Sequence, residues 1–204
     1  AAPDSITYQV MSLSDDGLYM TVTLETASGV WWTFDLAKTP PSPLEGAWKL
    51  DGDGAAGVGP NPLSKEWWSS SAPNAGPDQR ACWFDDVYLF DGGGNFSNEM
   101  GSETWLEPWQ GVAEGCGAPI APHDGTAAAT FSYVEGSGSI EGSLGELTIT
   151  GKGAYIGLAK ATNGAEIGSP SAAPESITYQ VMSLSADGQY MTVTLETASG
   201  VWWT

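Results

Sequence analysis

Basic residues are scarce in this sequence: six lysines and arginines stand against 25 aspartates and glutamates, and the formal net charge is −19. A protein that binds nucleic acid presents basic residues to the phosphates, so this balance argues against nucleic acid as a partner. No apolar run approaches the ~20 residues of a membrane helix, and we expect no membrane insertion. Apolar residues nevertheless make up 41% of the chain and ten residues are tryptophan. This composition predicts a folded protein rather than a disordered acidic tail.

Cysteine is almost absent too, and Cys82 and Cys116 are the only two. An even pair within one segment predicts a disulfide and, with it, an oxidising extracellular or cell-surface location. Two buried free thiols in a cytosolic protein are the alternative. No Cys-x-x-Cys or Cys/His spacing indicates zinc.

The sequence contains one long internal repeat. Residues 1–33 and 172–204 differ at only three of 33 positions, at an offset of 171 residues. This period is far longer than the 20–50 residues of a solenoid repeat and matches the size of a domain. The repeat therefore predicts tandem domains.

Prolines mark the predicted domain boundary. After Phe34-Asp35-Leu36-Ala37-Lys38 the chain reads Thr39-Pro40-Pro41-Ser42-Pro43, which is typical of a short polyproline spacer. We predict that residues 1–38 are the C-terminal strands of a preceding repeat, or strands donated to a neighbouring molecule, and that 39–43 are a linker. Residues 44–204 are then one nearly complete domain. Both interpretations make identical repeats or subunits the partners, joined head-to-tail.

Alternating apolar and polar residues predict β-strands along the whole chain. In the first copy, Ile6, Tyr8 and Val10 share one face, and Asp16-Gly17 predicts a tight turn before the next strand. Further strands are predicted at 47–50, 81–90, 95–100, 128–134, 146–150 and 154–158. No helical stripe is evident. About seven or eight antiparallel strands predict an all-β fold, either a sandwich or a meander barrel.

Three groups of tryptophans are candidates for binding polysaccharide, because a flat aromatic ring stacks on the apolar face of a sugar. The candidate tryptophans are Trp67, Trp68, Trp105, Trp109, Trp31 and its repeat Trp202. Glu107 and Gln110 are candidates for binding sugar hydroxyls. The alternative is packing in the core, which is the simpler interpretation for Trp48, Trp83 and Trp32.

Metal binding and catalysis have weaker signals. Asp51 and Asp53 in Asp-Gly-Asp-Gly resemble the start of a calcium loop without its acidic ligand near the twelfth position, so structural calcium and an ordinary turn stay open. His123, the only histidine, has no evident nucleophile partner, which predicts a solvated or hydrogen-bonded loop residue. Glu99, Glu103 and Glu107 have no defined spacing for glycoside hydrolysis. We expect neither an enzyme nor another cofactor.

Residues 44–204 carry the strings EGAWKLDGDGAAGVGPNP, RACWFDDVYLFDGGGNFSN, TWLEPWQG and CGAPIAPHDGTAAATFSY. These resemble a Trp-rich domain of secreted and surface proteins of marine Bacteroidetes, which often stands beside polysaccharide-degrading or immunoglobulin-like modules. The opening Gly-x-Trp-Lys-Leu is also weakly similar to lipocalin-like barrels. The resemblance implies an extracellular, non-catalytic domain associated with polysaccharide.

Two functions fit these observations. The near-identical repeat favours a structural unit of a long cell-surface adhesin or filament. The tryptophans favour a carbohydrate-binding module. A fibre built of binding units would satisfy both.

Overall fold

The computed structural model describes residues 5–38, 41–71 and 80–204. The chain divides into two compact units, unit 1 (Ala1–Ser42) and unit 2 (Pro43–Thr204). Thr39 and Pro40 of the predicted linker 39–43 lie outside the described residues.

Unit 1 is a single antiparallel sheet of three strands, β1 (Gln9–Leu13), β2 (Tyr19–Ala27) and β3 (Val30–Ala37), in the order β1-β2-β3. The turn between β1 and β2 forms at Asp16-Gly17, where Asp16 Oδ1 accepts hydrogen bonds from the Ser14 hydroxyl and the Leu18 amide. Gly17 has a φ of 69°, a conformation that glycine adopts at little cost. The described residues of unit 1 form no second layer on which this sheet could bury its apolar face.

Unit 2 contains fourteen strands, one α-helix and two 3-10 helices in the part of the chain that the structure describes. In chain order they are β4 (Gly46–Trp48), β5 (Gly57–Gly59), β6 (Trp68–Ser69), α1 (Ala81–Phe84), β7 (Val87–Phe90), β8 (Asn95–Glu99), β9 (Thr104–Leu106), a 3-10 helix (Pro108–Gln110), β10 (Gly115–Gly117), β11 (Ala129–Glu135), β12 (Gly145–Thr150), β13 (Ala161–Thr162), β14 (Ala165–Glu166), a 3-10 helix (Pro170–Ala172), β15 (Ser176–Leu184), β16 (Met191–Ala198) and β17 (Val201–Trp203).

Ten of these strands form one antiparallel sheet in the order β4-β7-β8-β11-β12-β15-β16-β17-β5-β6. The sheet curls into a half-barrel. Consecutive strands β4 and β5 lie near opposite ends of this order, although only residues 49–56 join them. Such a segment spans at most ~30 Å, so the two ends of the sheet have to approach each other.

The core of unit 2 contains the inward side chains of these strands. In β12, Leu147 and Ile149 are completely buried, as the period of two along a strand requires. Trp83 of α1 and Phe90 of β7 belong to the same apolar cluster. Two further hairpins, β9 with β10 and β13 with β14, lie outside the main sheet.

The prediction of an all-β antiparallel fold is confirmed, while the predicted number of seven or eight strands is wrong because the main sheet alone has ten. The predicted strand at 81–90 is interrupted, since its first half is α1 and only Val87–Phe90 is extended. Residues 154–158 form no strand. Among the described residues, no helix has the length and apolar character to cross a membrane.

Candidate functional site

The two copies of the repeat fold into the same local structure. Strand β1 pairs with β2 in the register Val10–Val22, and β15 pairs with β16 in the equivalent register Val181–Val193. Both pairs carry a bulge at the same place, next to Val10 and Val181. The side-chain bonds repeat as well, since the Thr23 hydroxyl donates to the Trp32 carbonyl at 2.8 Å and the Thr194 hydroxyl to the Trp203 carbonyl at 2.7 Å. The repeated sequence therefore encodes one defined three-stranded sheet.

The copies differ in what lies along their edges. In unit 2, β15 pairs with β12 over six residue pairs, and β17 pairs with β5 at Trp203–Val58. In unit 1, neither outer edge pairs with another strand within the described residues. Strand β15 begins at Ser176, whereas the matching residues of unit 1 become extended only at Gln9. Pairing with β12 thus extends the strand by four residues.

The apolar face differs even more than the edges. Tyr8 is 45% exposed whereas its counterpart Tyr179 is 1% exposed. The exposed fraction falls from 63% to 0% between Val10 and Val181. Ile6 and Trp32 behave in the same way, since they are 58% and 57% exposed while their counterparts Ile177 and Trp203 are 3% and 8% exposed. We call Ile6, Tyr8, Val10 and Trp32 the closing face. An exposed apolar face is typical of an interaction surface.

Trp203 shows what the closing face contacts when it is covered. It is 8% exposed, against 57% for Trp32. Its indole N–H donates to Glu166 at 2.7 Å, and its ring centroid lies 6.0 Å from that of Trp68. The Lys160 ammonium lies 5.4 Å from the same ring, within the range of a cation–π interaction. All of these partners come from unit 2.

Trp68 and Trp105 belong to a half-buried cluster around Arg80. The Arg80 guanidinium lies 4.3 Å from the ring centroid of Trp105 and 4.9 Å from that of Trp68. Trp68 also stacks on Trp83, with their centroids 6.5 Å apart. Arg80 is buried and forms an ion pair with Glu114 at 3.5 Å. These rings pack on the protein itself, which is the alternative that the sequence left open.

Trp109, Glu107 and Gln110 are likewise held by one another. The Trp109 indole donates to Glu107 at 3.0 Å, and the Glu107 amide donates to the Gln110 side chain at 2.9 Å. Lys160 bonds the other oxygen of Glu107 at 3.2 Å. The structure therefore brings these three candidates together and uses their polar atoms internally.

The remaining candidate tryptophans are separate from this group. Trp67, next to β6, is 54% exposed. Trp31 is exposed on β3, while Trp202, its repeat, is only partly exposed beside β5. The five candidate tryptophans of unit 2 thus form no single aromatic platform in the part of that unit that the structure describes.

Cys82 and Cys116 form the predicted disulfide. It joins α1, whose side chains are mostly buried, to strand β10 of the outer hairpin. Asp51 and Asp53 are exposed, and no group of three or more potential metal ligands occurs among the described residues. Structural calcium at this turn stays a prediction.

The prediction that His123 is a solvated or hydrogen-bonded loop residue is wrong. Its ring is buried between Trp109 and Tyr155, with centroid distances of 5.4 and 5.9 Å. Burial lowers the pKa of His123 to about 4, so the imidazole is neutral at pH 7. Its Nδ1 has no hydrogen-bond partner among the described residues.

Asp86, just after α1, is the most buried carboxyl of this region. Its Oδ2 accepts a hydrogen bond of 2.6 Å from the Thr104 hydroxyl, while its Oδ1 has no partner among the described residues. Burial disfavours the charged form and raises the pKa of Asp86 to about 7.

This shift predicts a pH dependence of stability. The native pKa lies above the ~3.9 of an aspartate in an unfolded chain, so between about pH 4 and 7 the native state retains a proton that the unfolded state has lost. The contribution of Asp86 to the free energy of unfolding therefore falls as the pH rises through this range. We expect the free energy of unfolding of Asp86→Asn, measured by urea unfolding, to rise relative to that of the wild type as the pH increases from 4 to 7. Glu99→Gln, at an exposed residue of β8, should keep the wild-type slope. A wild-type slope in Asp86→Asn would contradict the prediction.

Comparison of the chain with protein-family models, with curated proteins and with solved structures returns no match.

The structure adds Tyr179, Val181 and Trp203 to the candidate residues expected from the sequence. These three are buried in unit 2, while their counterparts Tyr8, Val10 and Trp32 are exposed in unit 1. Comparing the two copies position by position is the signal that identifies them.

Proposed function

We propose that this chain is part of a non-catalytic, extracellular tandem-repeat protein, an adhesin or filament of the cell surface, whose units are linked head-to-tail. In each repeat, the last three strands close the half-barrel formed by the preceding part of that repeat. The observation that carries the proposal is that one sequence occurs twice with the same register, buried in unit 2 and exposed in unit 1.

The energetics favour a covered closing face. Burying apolar surface contributes roughly 25 cal/mol per Å², or about 1.5–3 kcal/mol for each large apolar side chain. A sheet has to bury its apolar face against another layer to form a core. In unit 2, strands β12 and β5 and the core beneath them supply the burial. The cover that fits unit 1 is therefore the counterpart of residues 44–171 in a neighbouring repeat.

The repetition and the charge support a fibre. Only three of 33 positions differ between the copies, so the units are interchangeable. Unit-to-unit repulsion among acidic domains favours a soluble and extended chain, and salt limits this repulsion to short range. The resemblance to surface proteins and the disulfide fit the same location.

The filament is tested by electron microscopy of chains that contain three and six full 171-residue repeats. We expect extended particles whose contour length doubles from three repeats to six, with one bead for each repeat. Compact particles, or a length that does not grow with repeat number, would contradict the proposal.

A second function, binding of polysaccharide, is favoured by one observation. Trp67 remains 54% exposed, whereas the other candidate tryptophans of unit 2 are at least partly covered. We expect titration with laminarin or agarose oligomers to shift the tryptophan fluorescence, and Trp67→Ala to lose at least about tenfold in affinity through the missing ring contact. Tyr190→Ala is the matched control, because Tyr190 is an exposed aromatic residue of unit 2 that is not among the candidates, and it should bind as the wild type does. An unchanged tryptophan fluorescence across a broad panel of glycans would contradict the binding of polysaccharide.

A further inference from the structure

A cavity of about 320 Å³ lies beside strands β16 and β17 of unit 2. Met191 and Val193 of β16 line it, together with Trp203 of β17. Trp48 and Leu50, at the end of β4 and just beyond it, line it as well. These side chains are apolar and, apart from Trp203, only partly buried. The cavity is therefore a groove with an apolar wall, and we call it the end groove; Lys49, Asp51 and Lys65 are among the polar residues that also line it.

One side of the end groove is a strand edge. Strand β17 pairs with β16 only from Leu195 onward, at Leu195–Trp203, Glu196–Trp202 and Ala198–Val201. Met191, Thr192 and Val193 pair with β15 on their other side. Within the described residues no strand pairs with them on the side of β17. An open strand edge beside an apolar groove is suited to the addition of a further strand.

Unit 1 shows the chemistry of a strand that fits there. Strand β3 continues past Thr33, the counterpart of Thr204, with Phe34-Asp35-Leu36-Ala37. Phe34 pairs with Val22, Asp35 with Thr21 and Leu36 with Met20. At the offset of 171, these partners are Val193, Thr192 and Met191, the open edge of the end groove.

The exposure of one matched pair of residues supports this position. Val22, opposite Phe34, is 6% exposed even though unit 1 has a single layer. Val193 is only partly buried although it packs against the core of unit 2. Val22 has Phe34 opposite it on the next strand, whereas Val193 has no described residue in that position. Val193 is accordingly the more exposed of the two.

Strand geometry determines which side chains would enter. Successive side chains of a strand alternate between its faces, so residues two and four positions after Trp203 share its face. Trp203 itself lines the end groove. A Phe-Asp-Leu continuation therefore directs Phe and Leu into the groove. Its Asp lies on the other face beside Thr192, as Asp35 accepts a 2.8 Å hydrogen bond from Thr21.

We infer that the end groove of unit 2 binds a strand with the sequence of Phe34–Ala37, which enters as the direct continuation of β17. The inference rests on the repeat relation that also supports the proposed function, but it concerns unit 2 alone. It assigns the groove to the repeat itself rather than to a small-molecule ligand.

The test adds Phe-Asp-Leu-Ala-Lys directly after Thr204 of the full chain. The control adds Ser-Asp-Ser-Ala-Lys, which has the same length and charge but lacks the two apolar side chains. We expect the first addition to raise the thermal unfolding midpoint of unit 2 by about 5 °C or more above the control, since two large side chains become buried. Amide exchange at Met191–Val193 should slow by at least about tenfold.

Equal midpoints and equal exchange for the two additions would overturn the inference. A second pair of results would also overturn it: the 204-residue chain forms a concentration-dependent dimer that Phe34→Asp abolishes, and the added segment has no effect. Those results would assign the groove to a second copy of the chain. Neither result bears on the contour length of the multi-repeat chains, so failure of this inference is distinguishable from failure of the proposed function.

Discussion

Replacing Tyr179 with alanine is expected to lower the free energy of unfolding of unit 2 by about 3–5 kcal/mol, the usual cost of truncating a buried aromatic side chain. Tyr179 is 1% exposed, and its hydroxyl accepts a 2.9 Å hydrogen bond from the Ile156 amide. Truncation removes both the packed ring and the partner of a backbone group. Urea unfolding followed by tryptophan fluorescence measures the loss.

The repeat supplies a matched control in the same molecule. Tyr8→Ala is the same substitution in the same strand sequence, at a residue that is 45% exposed. Its effect on unit 2 should stay within about 0.5 kcal/mol, as for most surface substitutions. Equal losses for Tyr179→Ala and Tyr8→Ala would mean that the two faces are equally buried in solution, and would contradict the distinction on which the account depends.

Loss of the disulfide should be the second large effect. Cys82 and Cys116 are 34 residues apart in sequence, and the chain-entropy relation for a loop of this length gives about 4 kcal/mol of stabilisation. The double variant Cys82→Ser, Cys116→Ser is therefore expected to unfold at a markedly lower urea concentration. The link between α1 and β10 also holds Arg80 and Trp83 close to the hairpin that carries Trp105.

Dithiothreitol gives the matching control for the disulfide. Reduction should destabilise the wild type by about as much as the double variant is destabilised, and it should leave the double variant unchanged. An undiminished midpoint after complete reduction would contradict the prediction and assign the stability of this region to packing alone.

The strands of the repeat were the most predictable part of the fold. Regular alternation over Ile6–Val10 and Met20–Leu24, with a glycine turn between them, encodes the strands locally, and both copies adopt the same register. The burial of these strands was not predictable from either copy alone. It depends on β12 and β5, which are distant in sequence.

The short helix α1 and the loop at 154–158 could not be predicted from the sequence, for a different reason. The four residues of α1 are too few to show a helical period, so Ala81–Phe84 was merged into the following strand. Residues 154–158 are apolar like a strand, yet Asn98 bonds both the amide and the carbonyl of Tyr155 and holds the segment as a loop. Such tertiary contacts override local preference.

The tryptophans were predictable as a group and not one by one. The sequence predicts three groups of candidates for binding polysaccharide, but the partners that cover Trp68 and Trp105 are Arg80 and Trp83. The covering partners of Trp109 are Glu107 and His123. Apart from Glu107, which is two residues from Trp109, these partners are distant in sequence, and no pattern in a single sequence indicates such pairings. Trp67 is left as the exposed candidate of unit 2.

The most direct test of the account is hydrogen exchange on a chain in which the sequence of residues 44–171 is placed immediately before Ala1. Peptides that contain Asp15 and Leu18 identify the first copy, because the second copy has Ala186 and Gln189 there. We expect the amides of Gln9–Leu13 to exchange at least about 100-fold more slowly than in the 204-residue chain, and as slowly as those of Gln180–Leu184. Unchanged exchange in the first copy would contradict the claim that its sheet closes a preceding repeat.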